Sequence, residues 1–170
     1  MKTFHLDIDS LNYNFSYNTE ETKKIQSIMQ NKKDISVEDL RRISLWKLDR
    51  VLDVSEETIT NLQKIATMTE LKIESNLVSE TLELLTNSNG IGFPMASSIL
   101  KFIRPDIFPI IDVRAYRTIY GKKISSTQYT VEIYLDYVKK IYEISKRLNM
   151  EVYEVDEQLY CFDKEHNGKI

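Results

Sequence analysis

A chain of 170 residues has the size of one folded domain, and the sequence predicts a single domain over 1–170. Its hydrophobic fraction of 42%, charged fraction of 29% and net charge of −3 are those of an ordinary globular protein, and no apolar run approaches the ~20 residues that cross a bilayer. The only cysteine, Cys161, excludes an internal disulfide and a multi-cysteine metal or iron–sulfur site. We therefore expect a cytoplasmic protein without metal or cofactor.

The N-terminal third predicts a short extended segment and two helices. The first residues carry two acids and no continuous apolar core, which argues against a signal peptide. Thr19 can cap a helix that ends near Gln30, and Ser36 with Asp39 resembles a capping box at the start of the next helix. Apolar residues alternate in the extended segment at Phe4, Leu6 and Ile8. The second helix is expected to carry Leu40, Ile43, Trp46 and Leu48.

The rest of the chain also has helical periodicity. Ser55 before two glutamates starts one helix, and residues 77–86 form another. The longest periodic signal is 127–148, where Tyr134, Tyr142 and Leu148 share the apolar face. A last helix runs from about Glu151 to His166, before the stop signal Asn167-Gly168. The sequence therefore predicts an all-α fold.

Turn-forming residues are concentrated in one part of the chain. All three prolines and three of the four glycines lie between positions 90 and 121. Such a concentration indicates that this segment needs special backbone geometry. Gly90-Ile91-Gly92 separates two predicted helices, and Pro94 suits the first turn of the second one.

The backbone of this turn is a predicted phosphate-binding site, formed by Gly90, Ile91, Gly92 and Phe93. The glycines allow a tight turn whose amides point outward, and the following helix adds its positive end. Segment 90–123, the basic segment, carries six basic and two acidic side chains, a net charge of +4. This excess favours a nucleic-acid partner. Candidate DNA contacts are Lys101, Arg114, Arg117 and Tyr116.

The longer pattern resembles the helix-hairpin-helix DNA glycosylase superfamily, and its spacing is most similar to mismatch adenine glycosylase and endonuclease III. The residues that carry the resemblance are Gly90-Ile91-Gly92, Ala96, Ile99-Leu100 and, twenty positions after Gly92, the last residue of Phe108-Pro109-Ile110-Ile111-Asp112. The clear resemblance covers about 84–121, within a hairpin and catalytic segment of about 77–121. It implies a helical bundle whose hairpin grips phosphates of double-stranded DNA and whose catalytic residue is Asp112.

The implied reaction is base excision, a step of DNA repair. Removing a base breaks an N-glycosidic bond through a cation-like sugar, which a carboxylate stabilises while it orients water. The nucleophilic lysine of bifunctional members falls at Pro94, which cannot form a Schiff base. The resemblance therefore implies a monofunctional enzyme that leaves an abasic site.

Asp112 also fits a purely structural role. It follows an extended run and precedes Val113-Arg114, so its side chain could simply cap a helix. Two other readings therefore stay open: a non-catalytic helix-hairpin-helix DNA-binding module, and a helical interaction protein in which 90–112 is only a turn. The sequence does not identify the base that is removed.

Overall fold

The computed structural model describes residues 13, 16–30, 32–49 and 51–169. In these ranges the chain forms eight α-helices and one 3-10 turn, which confirms the predicted all-α class. The extended segment predicted at Phe4, Leu6 and Ile8 lies outside the described residues. Residue contacts divide the chain into two compact units, 1–51 and 52–170.

The first unit contains helices α1 (Thr19–Met29) and α2 (Val37–Lys47). The predicted capping box of α2 is confirmed, since Ser36 N donates to Asp39 Oδ2 at 2.7 Å and Asp39 N donates to Ser36 Oγ at 3.3 Å. The prediction of Thr19 as a cap is wrong, because Thr19 is the first helical residue and Asn18 precedes it in a left-handed conformation.

Helix α2 covers only part of its apolar pattern within its unit. Trp46 Nε1 donates to Thr22 Oγ1 at 2.8 Å, so this ring faces α1. Leu40 and Leu48 of the same apolar pattern are both exposed. Among the described residues of the first unit, α1 is the helix that packs against α2, and it covers a narrower stripe than the apolar pattern spans.

The second unit contains six α-helices around one hydrophobic core. They are α3 (Glu56–Thr67), α4 (Asn76–Asn87), α5 (Phe93–Ile103), α6 (Val113–Tyr120), α7 (Val131–Leu148) and α8 (Val152–His166). The pairs with the most extensive packing are α6 with α8, α3 with α4, α7 with α8 and α4 with α5. Fully buried side chains include Ile65, Leu82, Leu85, Leu100, Phe108, Ile111, Tyr134, Tyr137 and Ile141. None of the helices in the described ranges is both long and apolar enough for a membrane span.

Most helix boundaries of this unit agree with the sequence pattern. Ser55 caps α3 by accepting from Thr58 N, as predicted. The helix predicted over 127–148 starts later, at Val131, because residues 126–128 form a 3-10 turn and Thr130 caps α7. Leu148 is exposed, not inward, since it is the last residue of that helix.

Candidate functional site

The turn between α4 and α5 places Gly92 at the surface between two buried side chains. Ile91 is 4% exposed and Phe93 is 9% exposed, so both side chains anchor the turn in the core. Gly90 has φ +80°, a left-handed conformation that glycine adopts without strain. Ile91 N donates to Ser88 O at 3.2 Å and closes the turn. Any contact that residues 90–93 make with a phosphate must therefore come from their backbone amides.

Helix α5 begins without a side-chain cap. Gly92 occupies its cap position and has no side chain to accept an amide hydrogen. By contrast, Ser55, Asp112 and Thr130 each accept amide hydrogens at the starts of their helices. The first amides of an α-helix have no acceptor within the helix, and they carry the positive end of its dipole. The start of α5 therefore suits an external anion.

The extended segment 107–111, which leads to Asp112, is fixed by hydroxyl groups of α7. Three tyrosines of α7 donate to its carbonyls at 2.9–3.0 Å: Tyr142 to Ile107, Tyr134 to Pro109, and Tyr137 to Ile110. Buried carbonyl groups need such partners, since an unpaired one is costly. These bonds give a segment without regular secondary structure one defined course through the core.

Two more side chains bind the amides of this segment. Asp156 Oδ2 accepts from Ile110 N at 2.6 Å, and Ser97 Oγ accepts from Ile111 N at 3.2 Å. Ser97 belongs to α5, so the helix that follows the glycine turn is bonded directly to the residue before Asp112. The spacing between turn and carboxylate is thus fixed by hydrogen bonds as well as by packing.

Asp112 is the N-cap of α6 and is half-buried. Its Oδ1 accepts from Arg114 N at 2.6 Å and from Ala115 N at 2.8 Å. Its Oδ2 has no hydrogen-bond partner among the described residues. The carboxylate therefore caps the helix with one oxygen and keeps the other available.

Tyr129, which the sequence reasoning did not single out, completes this neighbourhood. Its ring stacks on Phe93, with centroids 6.1 Å apart and an interplanar angle of 17°. Its hydroxyl is buried and has no hydrogen-bond partner among the described residues. Burial, together with the negative charge of Asp112 and the neighbouring Tyr116, raises the pKa of Tyr129 to about 12. The hydroxyl is therefore a proton-bearing donor at neutral pH.

The candidate DNA contact Lys101 points into the protein. It is 6% exposed, and its ammonium donates to Asp156 Oδ1, Glu157 Oε1 and Tyr153 O at 2.8–2.9 Å. Burial favours the neutral amine, but the two carboxylates outweigh it and raise the pKa of Lys101. The ammonium group of Lys101 is therefore bonded inside the fold and does not lie on an exposed surface that could face DNA.

The candidate contacts Arg114 and Arg117 are also engaged internally. Both guanidinium groups donate to the buried carboxylate of Asp163 on α8, at 2.7–2.9 Å. Their position on α6 follows from Asp112, since the cap starts the helix that carries them. These arginines tie α6 to α8 in the conformation described.

The remaining members of the basic segment divide into paired and exposed groups. Arg104 pairs with Asp106 at 2.7 Å, whereas Lys122 and Lys123 are exposed and have no ion-pair partner in the described part of the chain. Tyr116 is 7% exposed and stacks on Tyr120 with centroids 4.4 Å apart. Much of the positive charge that the sequence concentrates here is therefore balanced within the fold.

Comparison with known proteins adds no further assignment, since no protein-family model, curated protein or solved structure matches this chain. Within the described residues, no three His, Cys, Asp or Glu side chains are grouped as a metal site would require. The candidate site therefore rests on its own geometry: the turn 90–93, Asp112 and Tyr129. The sequence did not indicate a role for Tyr129, because no motif distinguishes it from the other nine tyrosines.

Proposed function

We propose that this protein is a monofunctional DNA glycosylase, which hydrolyses a base–sugar bond in double-stranded DNA and leaves an abasic site. The observation that supports this most is the divided role of Asp112. One carboxylate oxygen caps α6 and fixes the side chain, while Oδ2 has no hydrogen-bond partner in the described part of the chain and lies at a half-buried position. A fixed carboxylate with one unused oxygen is suited to stabilising positive charge that develops in a reaction.

In the proposed reaction the bond between the sugar and the base nitrogen breaks, and its electron pair leaves with the base. The base takes a proton from solvent, and the sugar becomes cation-like. Asp112 Oδ2 stabilises that charge at close range. Water then bonds to the sugar carbon and transfers a proton to the Asp112 carboxylate.

The turn 90–93 supplies the proposed grip on DNA. An extruded base costs a few kcal/mol of stacking and pairing, so the distorted strand must be held by its phosphates. The uncapped start of α5 offers backbone amides for this purpose. Because Ser97 bonds Ile111, a phosphate held at the turn would be kept at a constant distance from Asp112.

A second candidate function is a DNA-binding module without catalysis. The two short bonds that Asp112 accepts from Arg114 N and Ala115 N favour this alternative, since they explain the carboxylate as a cap alone. The two functions differ in whether the unpaired Oδ2 is used.

The test is base release from a panel of duplexes that carry damaged, mismatched or modified bases, with hot alkali to cleave any abasic site. The glycosylase proposal expects strand breaks at one class of base, only after alkali, with the parent protein. Binding of duplex DNA without release of any base would favour the DNA-binding module. Absence of both DNA binding and base release would overturn both functions.

A further inference from the structure

The Tyr129 hydroxyl differs from those of the other tyrosines around the candidate site. Tyr134, Tyr137 and Tyr142 all donate to backbone carbonyls, as buried hydroxyl groups normally do. Tyr129 Oη is also withdrawn from solvent, but it bonds to nothing in the described residues. An unsatisfied buried hydroxyl destabilises the fold, so its presence calls for a physical explanation.

The surroundings of this hydroxyl are those of the proposed active site. The Tyr129 ring lies against Phe93, the residue that directly follows the glycine turn. The Asp112 charge acts on Tyr129 strongly enough to contribute to its raised pKa. Tyr129 lies between the 3-10 turn and α7, outside both elements, and the residue as a whole is half-buried. Turn, carboxylate and orphan donor therefore belong to one neighbourhood.

We propose that Tyr129 Oη is a hydrogen-bond donor reserved for the extruded nucleotide: entry of the nucleotide exposes the hydroxyl, which then donates to an acceptor atom of that nucleotide beside Asp112. This inference rests on the proposed glycosylase function. The acceptor belongs either to the sugar–phosphate backbone or to the base, since both carry oxygen or nitrogen lone pairs. Because this donor has no partner among the described residues, the hydrogen bond that it makes with the nucleotide stabilises the complex and not the free protein.

The first arm of the test compares thermal unfolding of Tyr129→Phe and Tyr134→Phe. Tyr129→Phe removes a hydroxyl that has no partner, so its melting temperature should equal or exceed that of the parent. Tyr134→Phe removes a bonded hydroxyl and leaves Pro109 O unpaired, so its melting temperature should fall. A fall for Tyr129→Phe as large as that for Tyr134→Phe would reveal an internal partner and overturn the inference.

The second arm measures binding of three labelled duplexes that are otherwise identical: a fully paired one, one with a tetrahydrofuran abasic nucleotide, and one with a mispaired adenine. Tyr129→Phe should bind the paired duplex as the parent does, because phosphate contacts at the turn are unchanged. It should bind a distorted duplex about tenfold more weakly, the size of one hydrogen bond. The control is Tyr160→Phe, which removes a hydroxyl from a more exposed ring on α8.

The outcomes separate the two proposals. Weaker binding of the tetrahydrofuran duplex supports an acceptor on the sugar–phosphate backbone, and weaker binding of the mispaired duplex alone supports an acceptor on the base. Equal binding of all three duplexes by Tyr129→Phe and the parent overturns the role of Tyr129 and leaves the role of Asp112 intact. If the parent binds none of the duplexes, the glycosylase proposal fails, and the inference about Tyr129 fails with it.

Discussion

At the scale of single residues, the two oxygens of Asp112 have different environments. Oδ1 is committed to two amides of α6, and Oδ2 is not committed to anything in the described chain. A cap and a catalytic group usually compete as explanations for one aspartate, but in Asp112 the proposed catalytic role would use a different oxygen from the cap. Substitutions that preserve the cap can therefore test the other oxygen.

The substitution Asp112→Asn keeps an oxygen for the two amides and replaces the carboxylate by a neutral amide. Asn caps helices about as well as Asp, so folding and DNA binding should persist. The charge that would stabilise a cationic sugar is lost, and base release should fall by at least ~100-fold. Single-turnover assays on a processed duplex measure this effect.

Two further variants at this position separate the cap from the charge. Asp112→Ser retains a capping oxygen and should be as inactive and as stable as Asp112→Asn. Asp112→Ala loses the cap and should lower the free energy of unfolding by about 1 kcal/mol. Near-parent base release by Asp112→Asn would show that the aspartate is only structural and would contradict the proposed mechanism.

Lys101 allows a second prediction at the residue scale. A Schiff base needs an unprotonated amine that can reach the sugar, but Lys101 is buried, protonated and bonded to three acceptors. Pro94 has no amine at all. Borohydride added to the protein during processing of a duplex should therefore trap no covalent adduct. A robust adduct that disappears in Lys101→Ala would contradict the monofunctional assignment.

At the scale of elements, the two glycines of the α4–α5 turn differ in backbone conformation: Gly90 is left-handed, whereas Gly92 has a conformation open to other residues. Gly90 has φ +80°, which L side chains rarely adopt. Gly92 has an ordinary φ of −91°, and a methyl group there would touch only Pro94 Cδ, at 4.0 Å. Gly92 is therefore free to accept alanine without strain, although it lies at the exposed centre of the proposed phosphate site.

Replacing these glycines should weaken DNA binding by different routes. Gly92→Ala should leave the free energy of unfolding unchanged and weaken binding to all duplex sequences alike, because phosphate contacts carry no sequence code. Gly90→Ala should cost about 1–2 kcal/mol of stability through backbone strain, and the double variant should bind most weakly. Unfolding curves and fluorescence anisotropy with unrelated duplexes measure both effects.

Gly121→Ala is the matched control for strain. Gly121 has φ +67° at the end of α6, and no atom lies within 4 Å of an added methyl group. It should lose stability as Gly90→Ala does but retain DNA binding. A folded double variant of Gly90 and Gly92 that binds duplex as tightly as the parent would show that the turn is only a connection.

At the scale of the whole chain, the sequence predicted the features that depend on residues close together in the chain, such as helix caps and helix positions. The capping box at Ser36, the cap at Ser55 and the helix at 77–86 depend on neighbouring residues, and all three are present. The exposure of Leu40 and Leu48 depends on which element packs against α2, and the periodicity of apolar residues does not identify that element. In the same way, the net charge of +4 over the basic segment does not show that distant Asp156 and Asp163 pair with Lys101, Arg114 and Arg117.

The contact of Asp163 with Arg114 and Arg117 should make the stability of the second unit depend on pH in the acid range. The Arg117 guanidinium, opposed by burial and helped by Asn167 and Arg114, holds the pKa of Asp163 well below its ordinary value. A carboxyl whose pKa is lower when folded stabilises the fold at neutral pH. That contribution is lost as the pH falls below about 4, because Asp163 then binds a proton in the unfolded chain but stays ionised in the folded chain.

Melting temperatures of the parent and of Asp163→Asn between pH 7 and pH 3 test this expectation. At pH 7 the variant should melt at a lower temperature, because Arg114 and Arg117 lose their shared counter-ion while they stay largely buried. As the pH falls from 5 to 3 the parent should lose stability faster than the variant, so the two curves should converge. Curves that stay parallel would mean that another carboxylate governs acid unfolding and that the link between α6 and α8 is not the sensitive one.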